Sequence, residues 1–81
     1  MGMGATLDCL QTGQTARILD IRGPETVKSR LLDLGFSPGS TITAVYKAAA
    51  GDPTAYRVQG AIIALRAANA ALIQIIPEGE I

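Results

Sequence analysis

The sequence contains no histidine and only one cysteine, Cys9, among its 81 residues. Without histidine, the chain lacks the side chain that most often serves as a general base near neutral pH. A single cysteine excludes an intramolecular disulfide framework and agrees with a reducing compartment. Because transition-metal sites rarely lack imidazole and thiolate together, we expect neither a tight metal site nor a resident cofactor. With no cationic neighbour in sequence, Cys9 is expected to be a buried or idle thiol.

Aromatic side chains and excess charge are also scarce. The aromatic residues make up 4% of the chain, which is too few for the stacking platforms of single-strand binders or for grooves that read proline-rich peptides. Seven basic and seven acidic residues give a formal net charge of zero. No run of like charge could follow a phosphate backbone, so we expect no nucleic-acid partner.

Long apolar runs are missing as well. No stretch approaches the roughly 20 residues that span a bilayer, and the N-terminus lacks the basic and apolar regions of a signal peptide. These absences predict a cytoplasmic protein without direct membrane insertion. Residues 1–6 formally fit a myristoylation pattern. We favour the alternative that the residues ahead of Met3 are additions and that the native start is Met3. We expect residues 1–6 to lie outside the fold.

What the sequence does have is a high apolar content in a short chain. Hydrophobic residues account for 48% of the 81 residues, enough to build a core in a domain too small to be stable otherwise. We therefore predict a single domain over residues 1–81, with a frayed tail at 78–81.

One α-helix is predicted between Pro24 and Gly35. Proline suits the first residue of a helix, and glycine suits its C-terminal cap. Val27, Leu31 and Leu34 fall at positions i, i+4 and i+7. This spacing predicts one apolar stripe facing the core.

Five short strands are predicted around this helix, separated by turns rich in glycine and proline. They cover residues 14–22, 40–47, 56–58, 62–66 and 71–76. The third and fourth strands form a hairpin through Gly60. One helical turn at 67–70 precedes the last strand, which ends before Pro77.

Side-chain parity predicts an irregularity in the first of these strands. Ala16 and Ile18 keep the period of two, but Ile21 falls on the opposite parity, so a bulge or bend near Leu19 and Asp20 is needed to turn both isoleucines inward. In the next strand, β-branched and small polar residues alternate around Ile42, Ala44 and Tyr46.

The order of elements predicts a mainly β fold: a small SH3-like five-stranded barrel with one inserted α-helix and a short helical turn before the last strand. Short antiparallel strands in so small a domain hide their edges by closing into a barrel. Carboxylates are scattered singly, and neither the Walker spacing nor the dinucleotide fingerprint occurs. The residues alone therefore indicate a non-enzymatic adaptor-sized barrel, with no catalytic or cofactor-binding residue and with its function on the surface.

Three segments of the chain resemble the ferrous iron transport protein A (FeoA) family. They are Leu7–Gly13, Arg30–Gly39, and Val58–Gly60 leading to Ile63–Arg66, and the resemblance extends from Leu7 to Ile76. It implies a cytoplasmic, SH3-like, non-enzymatic protein of bacterial iron homeostasis. Such a protein assists the membrane ferrous-iron transporter FeoB by contacting its cytosolic G-protein region or neighbouring elements, and is recruited to the inner membrane through the transporter. Metal binding would be weak or indirect, and a second copy of the chain would bind at most weakly.

The chain departs from the family pattern at a few positions. Ala49 and Ala50 precede Gly51–Pro53 where a proline and a larger apolar residue are frequent, and Asn69 stands where glutamate is frequent. No role of that glutamate can be carried over. A similar barrel occurs as the C-terminal domain of iron-dependent repressors, which gives an alternative function as a regulatory interaction module.

The resemblance is densest over the helix and its exit turn, Lys28 to Gly39, which we predict to be the working surface. Arg30, near the C-terminal end of the helix, suits either a structural salt bridge or an exposed partner contact. The residues predicted to bind the partner are Lys28, Arg30, Ser37, Pro38, Arg57 and Arg66.

Overall fold

The structure, a computed structural model, describes residues 4–78. Its strands and helices follow the predicted order, with one additional strand at the start. The strands are β1 (Ala5–Thr6), β2 (Thr15–Ile21), β3 (Thr41–Lys47), β4 (Thr54–Val58), β5 (Ala61–Leu65) and β6 (Ile73–Glu78); the helices are α1 (Glu25–Asp33) and α2 (Ala67–Ala70), and a 3-10 turn covers Leu7–Cys9.

The six strands form one antiparallel sheet in the order β1-β6-β2-β3-β4-β5. The mainly β fold with an inserted helix and a short helix before the last strand is therefore confirmed. The predicted closure into a five-stranded barrel is not found within residues 4–78, because β1 and β5 lie at opposite ends of the order and do not pair. The sheet is open.

Strand β1 is the element that the sequence did not predict. Ala5 pairs with Ile75 and Thr6 with Gln74, so these two residues belong to the sheet rather than outside the fold. A two-residue strand is too short to show any periodicity in the sequence. Its position in the sheet depends on its pairing with β6. Residues 1–3, with the predicted native start at Met3 and the first half of the myristoylation pattern, lie outside the described residues.

The other end of the chain is also more ordered than predicted. Strand β6 continues through Pro77 to Glu78, where Glu78 pairs with Thr15 and its Oε2 lies 2.9 Å from Nε of Arg17. Pro77 does not end the strand, because β1 pairs only with residues 74 and 75 and leaves one side of Pro77 without a strand neighbour. The rest of the predicted frayed tail, 79–81, lies outside the described residues.

The core fills one face of the sheet and is sealed by α1, α2 and the 3-10 turn. At its centre, the Tyr56 hydroxyl donates a hydrogen bond to the Leu7 carbonyl oxygen at 3.4 Å. Burial raises the pKa of Tyr56, and a hydrogen bond with Thr54 opposes that rise. The largest fully buried side chains are Tyr56, Phe36, Leu7, Ile18, Ile42, Ile73, Ile75 and Val58.

The predicted bulge in β2 is confirmed. Along β6, Ile18 pairs with Ile75 and Asp20 with Gln74, so Leu19 is the extra residue. Its side chain is 44% exposed, whereas Ile21 beyond it is 3% exposed. One inserted residue thus reverses the parity of the strand and brings Ile21 into the core.

A second bulge, in β3, interrupts the alternation around Ile42, Ala44 and Tyr46. Ala44 pairs with Tyr56 on β4 and Tyr46 pairs with Ala55, so Val45 is inserted between them. The parity changes at that point and leaves Tyr46 63% exposed.

Helix α1 begins one residue later than predicted. Pro24 is its N-cap, with extended backbone angles, and its carbonyl oxygen accepts the first helical hydrogen bond from the Lys28 amide at 2.9 Å. Leu31 is buried and Val27 packs against the core, as expected, but Leu34 is 41% exposed. Leu34 follows the last helical residue, and the chain turns there so that Phe36 enters the core instead.

Candidate functional site

The chain leaves α1 through a Schellman turn centred on Gly35. The Gly35 amide donates to the Leu32 carbonyl and the Phe36 amide to the Leu31 carbonyl, both at 3.0 Å. Gly35 has a φ of 108°, a conformation that L side chains rarely adopt. Phe36 and Leu31, at 0% and 2% exposure, meet in the core as the apolar pair that accompanies this motif. The predicted capping role of Gly35 is confirmed.

A tight turn follows at once, over Ser37–Ser40. The Ser40 amide donates to the Ser37 carbonyl at 3.0 Å, with proline second and Gly39 third at a φ of 92°. Proline and a positive-φ glycine in these places define a type II turn. The two serine hydroxyl oxygens lie 3.1 Å apart and share a hydrogen bond across its base. The turn therefore presents an exposed Pro38 on a rigid backbone.

Strand β2 holds this turn in place. The Gly39 amide donates to the Ile18 carbonyl at 2.8 Å, and the Ile18 amide donates to the Ser40 carbonyl at 2.9 Å. Ile18 is itself 1% exposed. A core residue thus anchors the turn through two backbone hydrogen bonds.

Gln59, at the tip of the β4–β5 hairpin, supports the turn from the other side. Its Nε2 donates to the Ser40 Oγ at 2.8 Å, and a Cβ on Gly35 would lie 3.0 Å from its Cγ. Gln59 and Gly60 have φ of 53° and 78°, as a two-residue type I′ hairpin requires. Sequence reasoning assigned Gln59 no role. The only signal was its place before Gly60, which indicates a turn but not the contact with Ser40.

The surface side chains of Lys28 to Gly39, here called the helix-exit surface, combine two cations and one anion, Asp33, with apolar area. Arg30 is exposed in the last turn of α1, Lys28 is half-buried, and Leu32 and Leu34 are 37% and 41% exposed. The ion pairs found within residues 4–78 involve neither cation. Arginine is enriched at protein–protein interfaces and among the residues that contribute most to binding.

The six predicted contact residues do not form one surface. Lys28, Arg30 and Pro38 lie on the helix-exit surface, where Ser37 is half-buried and bonded to Ser40. Arg57 lies on the opposite, outer face of the sheet, since its neighbours in β4 are buried. Arg66 follows the far end of β5, about 17 Å from the hairpin tip for five extended residues.

Arg66 belongs to a structural cluster around Asp52. The Asp52 Oδ1 accepts a hydrogen bond from the Ala67 amide at 2.8 Å, and its Oδ2 lies 3.9 Å from an exposed Arg66 nitrogen. A carboxylate from the β3–β4 loop therefore caps the N-terminus of α2, which in turn positions the start of β6.

We expect Asp52→Ala to lower the free energy of unfolding by about 0.5–2 kcal/mol, the usual cost of losing a side-chain cap. Arg66→Ala should cost less than about 1 kcal/mol, because the exposed pair is long and screened by water. Urea unfolding of both variants measures the difference. An equal loss in both would contradict the capping role of Asp52.

Three further features concern metal binding, the Cys9 thiol and membrane insertion. Within residues 4–78, no three Cys, Asp or Glu side chains come together in a way that could hold a metal ion. Cys9 is exposed rather than buried, so that part of its prediction is wrong. No helix in this described range is long and apolar enough to cross a bilayer.

The domain is a small SH3-like β domain. One helix is inserted between the first two long strands of its antiparallel sheet, and a short helix precedes the last strand. The helix-exit surface lies on the inserted helix and the turn that follows it. The FeoA domain model matches residues 5–77. The chain belongs to the FeoA family.

Relatives extend this assignment. The chain is 38% identical over 66 residues to the Fe(2+) transport protein A/Fe(2+) transporter FeoB fusion protein of Porphyromonas gingivalis; that match covers 82% of this chain and 8% of the fusion protein. An NMR structure of a FeoA-like protein from Clostridium acetobutylicum has a TM-score of 0.90 and 27% identity, over 100% of this chain and 94% of that one.

A crystal structure of Stenotrophomonas maltophilia FeoA complexed with zinc is similar at a TM-score of 0.75 and 27% identity, over 88% of each chain. It is described as a prokaryotic SH3 domain protein, and the predicted SH3-like class is thereby confirmed. A manganese-dependent transcriptional repressor shares the fold at a TM-score of 0.84 and 14% identity, over 95% of this chain and 43% of the repressor.

Proposed function

We propose that this domain is a non-enzymatic accessory protein of ferrous iron uptake that binds a FeoB-type transporter, through its cytosolic G-protein region. The observation that carries the proposal is the fusion relative, in which a segment 38% identical to this chain is joined to a transporter in one polypeptide. A covalent link keeps the two parts at a high effective concentration, at which a contact between them forms readily. The domain would act in the cytoplasm and reach the inner membrane through the transporter.

The helix-exit surface supports this proposal by its rigidity as well as its composition. The turn that follows the helix is held by β2 on one side and by Gln59 on the other. A surface already fixed in the free protein loses little conformational entropy when a partner binds. Arg30, flanked by exposed Leu34 one helical turn on, would be its central charged contact.

Co-purification tests the proposal directly. The tagged protein is mixed with the full transporter in detergent and, separately, with the transporter's isolated cytosolic region. We expect retention of both. Retention of the full transporter alone would move the contact to its membrane part, and retention of neither at high micromolar concentration would overturn the proposal.

We expect Arg30→Ala to weaken binding to the transporter by about 30-fold or more, corresponding to about 2 kcal/mol for a central interface arginine. The same change should lower stability by less than about 1 kcal/mol, because the side chain is exposed and has no ion pair within residues 4–78. A pull-down and a thermal melt on one protein preparation give both quantities.

Arg57→Ala is the matched control, since it removes an equally exposed arginine from the outer face of the sheet. It should bind as the parent does. A stable Arg30→Ala protein with parental binding and iron uptake would exclude the helix-exit surface as the contact.

A second candidate function, a regulatory module that occupies a peptide or a neighbouring domain, is favoured only by the fold shared with the repressor. A pull-down of the tagged protein from a cell lysate that also contains the transporter distinguishes it. Recovery of a helix-turn-helix protein in place of the transporter would favour the regulatory module.

A further inference from the structure

Strand β5 ends the sheet and is entirely apolar. Within residues 4–78 its one strand neighbour is β4, and its sequence, Ala-Ile-Ile-Ala-Leu, has no charge and no proline. Ile62 is 57% exposed. Soluble proteins usually protect such an edge with lysine, proline or a bulge, because its open backbone groups can pair with another strand.

The hairpin register determines which backbone groups of β5 are open. Val58 and Ala61 close the two-residue turn as a hydrogen-bonded pair, and the pairs alternate from there. Ala61, Ile63 and Leu65 therefore direct their amides and carbonyls toward β4. Ile62 and Ala64 direct theirs away from the sheet.

We propose that two copies of this domain associate by pairing β5 with β5, antiparallel, about a two-fold axis at Ile63. The open groups of Ile62 and Ala64 are symmetric about that residue. In such a pair, the Ile62 amide and carbonyl of each copy bond to the Ala64 carbonyl and amide of the other. Four backbone hydrogen bonds then join two six-stranded sheets into one.

Side-chain sizes in β5 suit this register. Ile62 stands opposite Ala64 of the second copy, and Ala61 opposite Leu65, so each large residue meets a small one. Ile63 meets itself on the axis, between the two hydrogen-bonded pairs. No charge is buried and none is placed against a like charge within the strand, which favours a second copy over a charged peptide as the occupant.

The size of the contact predicts a weak dimer. A five-residue edge extends about 17 Å, and pairing it buries less than the roughly 1,200 Å² of total area that stable interfaces need. The monomer should therefore dominate at low micromolar concentration, with the dimer forming as concentration approaches the millimolar range.

Sedimentation velocity over this range tests the proposal, with Ile62→Lys as the disrupting variant. Ile62→Lys should reduce dimer formation at least tenfold, because lysine on an edge opposes strand pairing. The control is Leu19→Lys, the same charge added at another exposed apolar position, in the β2 bulge. It should dimerise as the parent does.

Amide hydrogen exchange tests the register itself. Slower exchange at high concentration is expected at Ile62 and Ala64 but not at Ala61 or Leu65, whose amides already bond to β4. Ala64→Pro removes an outward amide only, a position that edge strands tolerate, and should also abolish the dimer.

Three results would overturn the proposal. They are a monomer at millimolar concentration, a dimer that survives both Ile62→Lys and Ala64→Pro, or protection of these amides by the transporter in a protein that is otherwise monomeric. The last result would assign the edge to an extended segment of the transporter. The first two results do not involve the transporter, and the third reassigns β5 without testing Arg30 and the helix-exit surface, which the Arg30→Ala pull-down tests separately.

Discussion

Leu31→Ala is expected to lower the free energy of unfolding by about 2–5 kcal/mol, the range for a buried leucine truncated in a packed core. Leu31 is 2% exposed, and its carbonyl accepts the Phe36 amide that closes the helix. A cavity there loosens both the contact of α1 with the sheet and the turn that follows it. Because small domains are stable by only about 5–15 kcal/mol, this change should shift the urea midpoint severely.

Leu34→Ala is the matched control, the same truncation three residues further on. Its side chain is 41% exposed and lies outside the core, so the loss should stay below about 1 kcal/mol. A comparable loss in both variants would show that Leu34 packs against the core, as its helical spacing predicts and the structure contradicts.

Gly35→Ala is expected to destabilise the protein by about 1–3 kcal/mol, the cost of forcing a side chain into left-handed backbone. The φ of 108° persists because the Schellman turn requires it, and a new Cβ would also lie 3.0 Å from Cγ of Gln59. The change therefore strains the backbone and displaces the hydrogen bond from Gln59 to Ser40. Chemical denaturation measures the total effect.

Gly39→Ala separates the two contributions. Its φ of 92° is comparable, but a Cβ there meets nothing within 4 Å. Gly35→Ala should lower the free energy of unfolding by more than Gly39→Ala does, and the difference is the steric contribution of the contact with Gln59. Adding Gln59→Ala to Gly35→Ala should recover some of that difference. No excess, together with no recovery, would mean that the Gln59 side chain moves aside without cost.

Sequence periodicity predicted most of the fold, and the two bulges are the places where a simple period of two no longer gives the face on which a side chain lies. In β2 the parity conflict at Ile21 indicated an inserted residue, because Ile18 and Ile21 can face the same side of the sheet only if one is present. In β3 no conflict existed, since Tyr46 can lie on either face with its hydroxyl in water. A bulge is visible in a sequence only when it corrects the position of a residue that must be buried.

The candidate site depended more on distant contacts than on local pattern. The turn over Ser37–Ser40 and the cap at Gly35 follow from glycine and proline chemistry, which acts within a few residues. The hydrogen bonds from Gln59 to Ser40 and from Ala67 to Asp52 span 19 and 15 residues. The local sequence around either residue gives no indication of its partner, so these contacts can be identified only once the fold is known.

The pairing of β1 with β6 brings the two ends of the described chain side by side. Ala5 lies opposite Ile75, and Glu78 ends only three residues further along the same strand. At about 3.4 Å per residue, a bridge of a few residues would join Gly4 to Glu78 and make the chain circular. Reopening such a circle at the exposed Ala49–Gly51 loop would keep every strand pairing and place both termini between β3 and β4, at the same end of the sheet but two strands away from Glu78. Circular permutation thus offers two different points at which another chain could be attached to this domain.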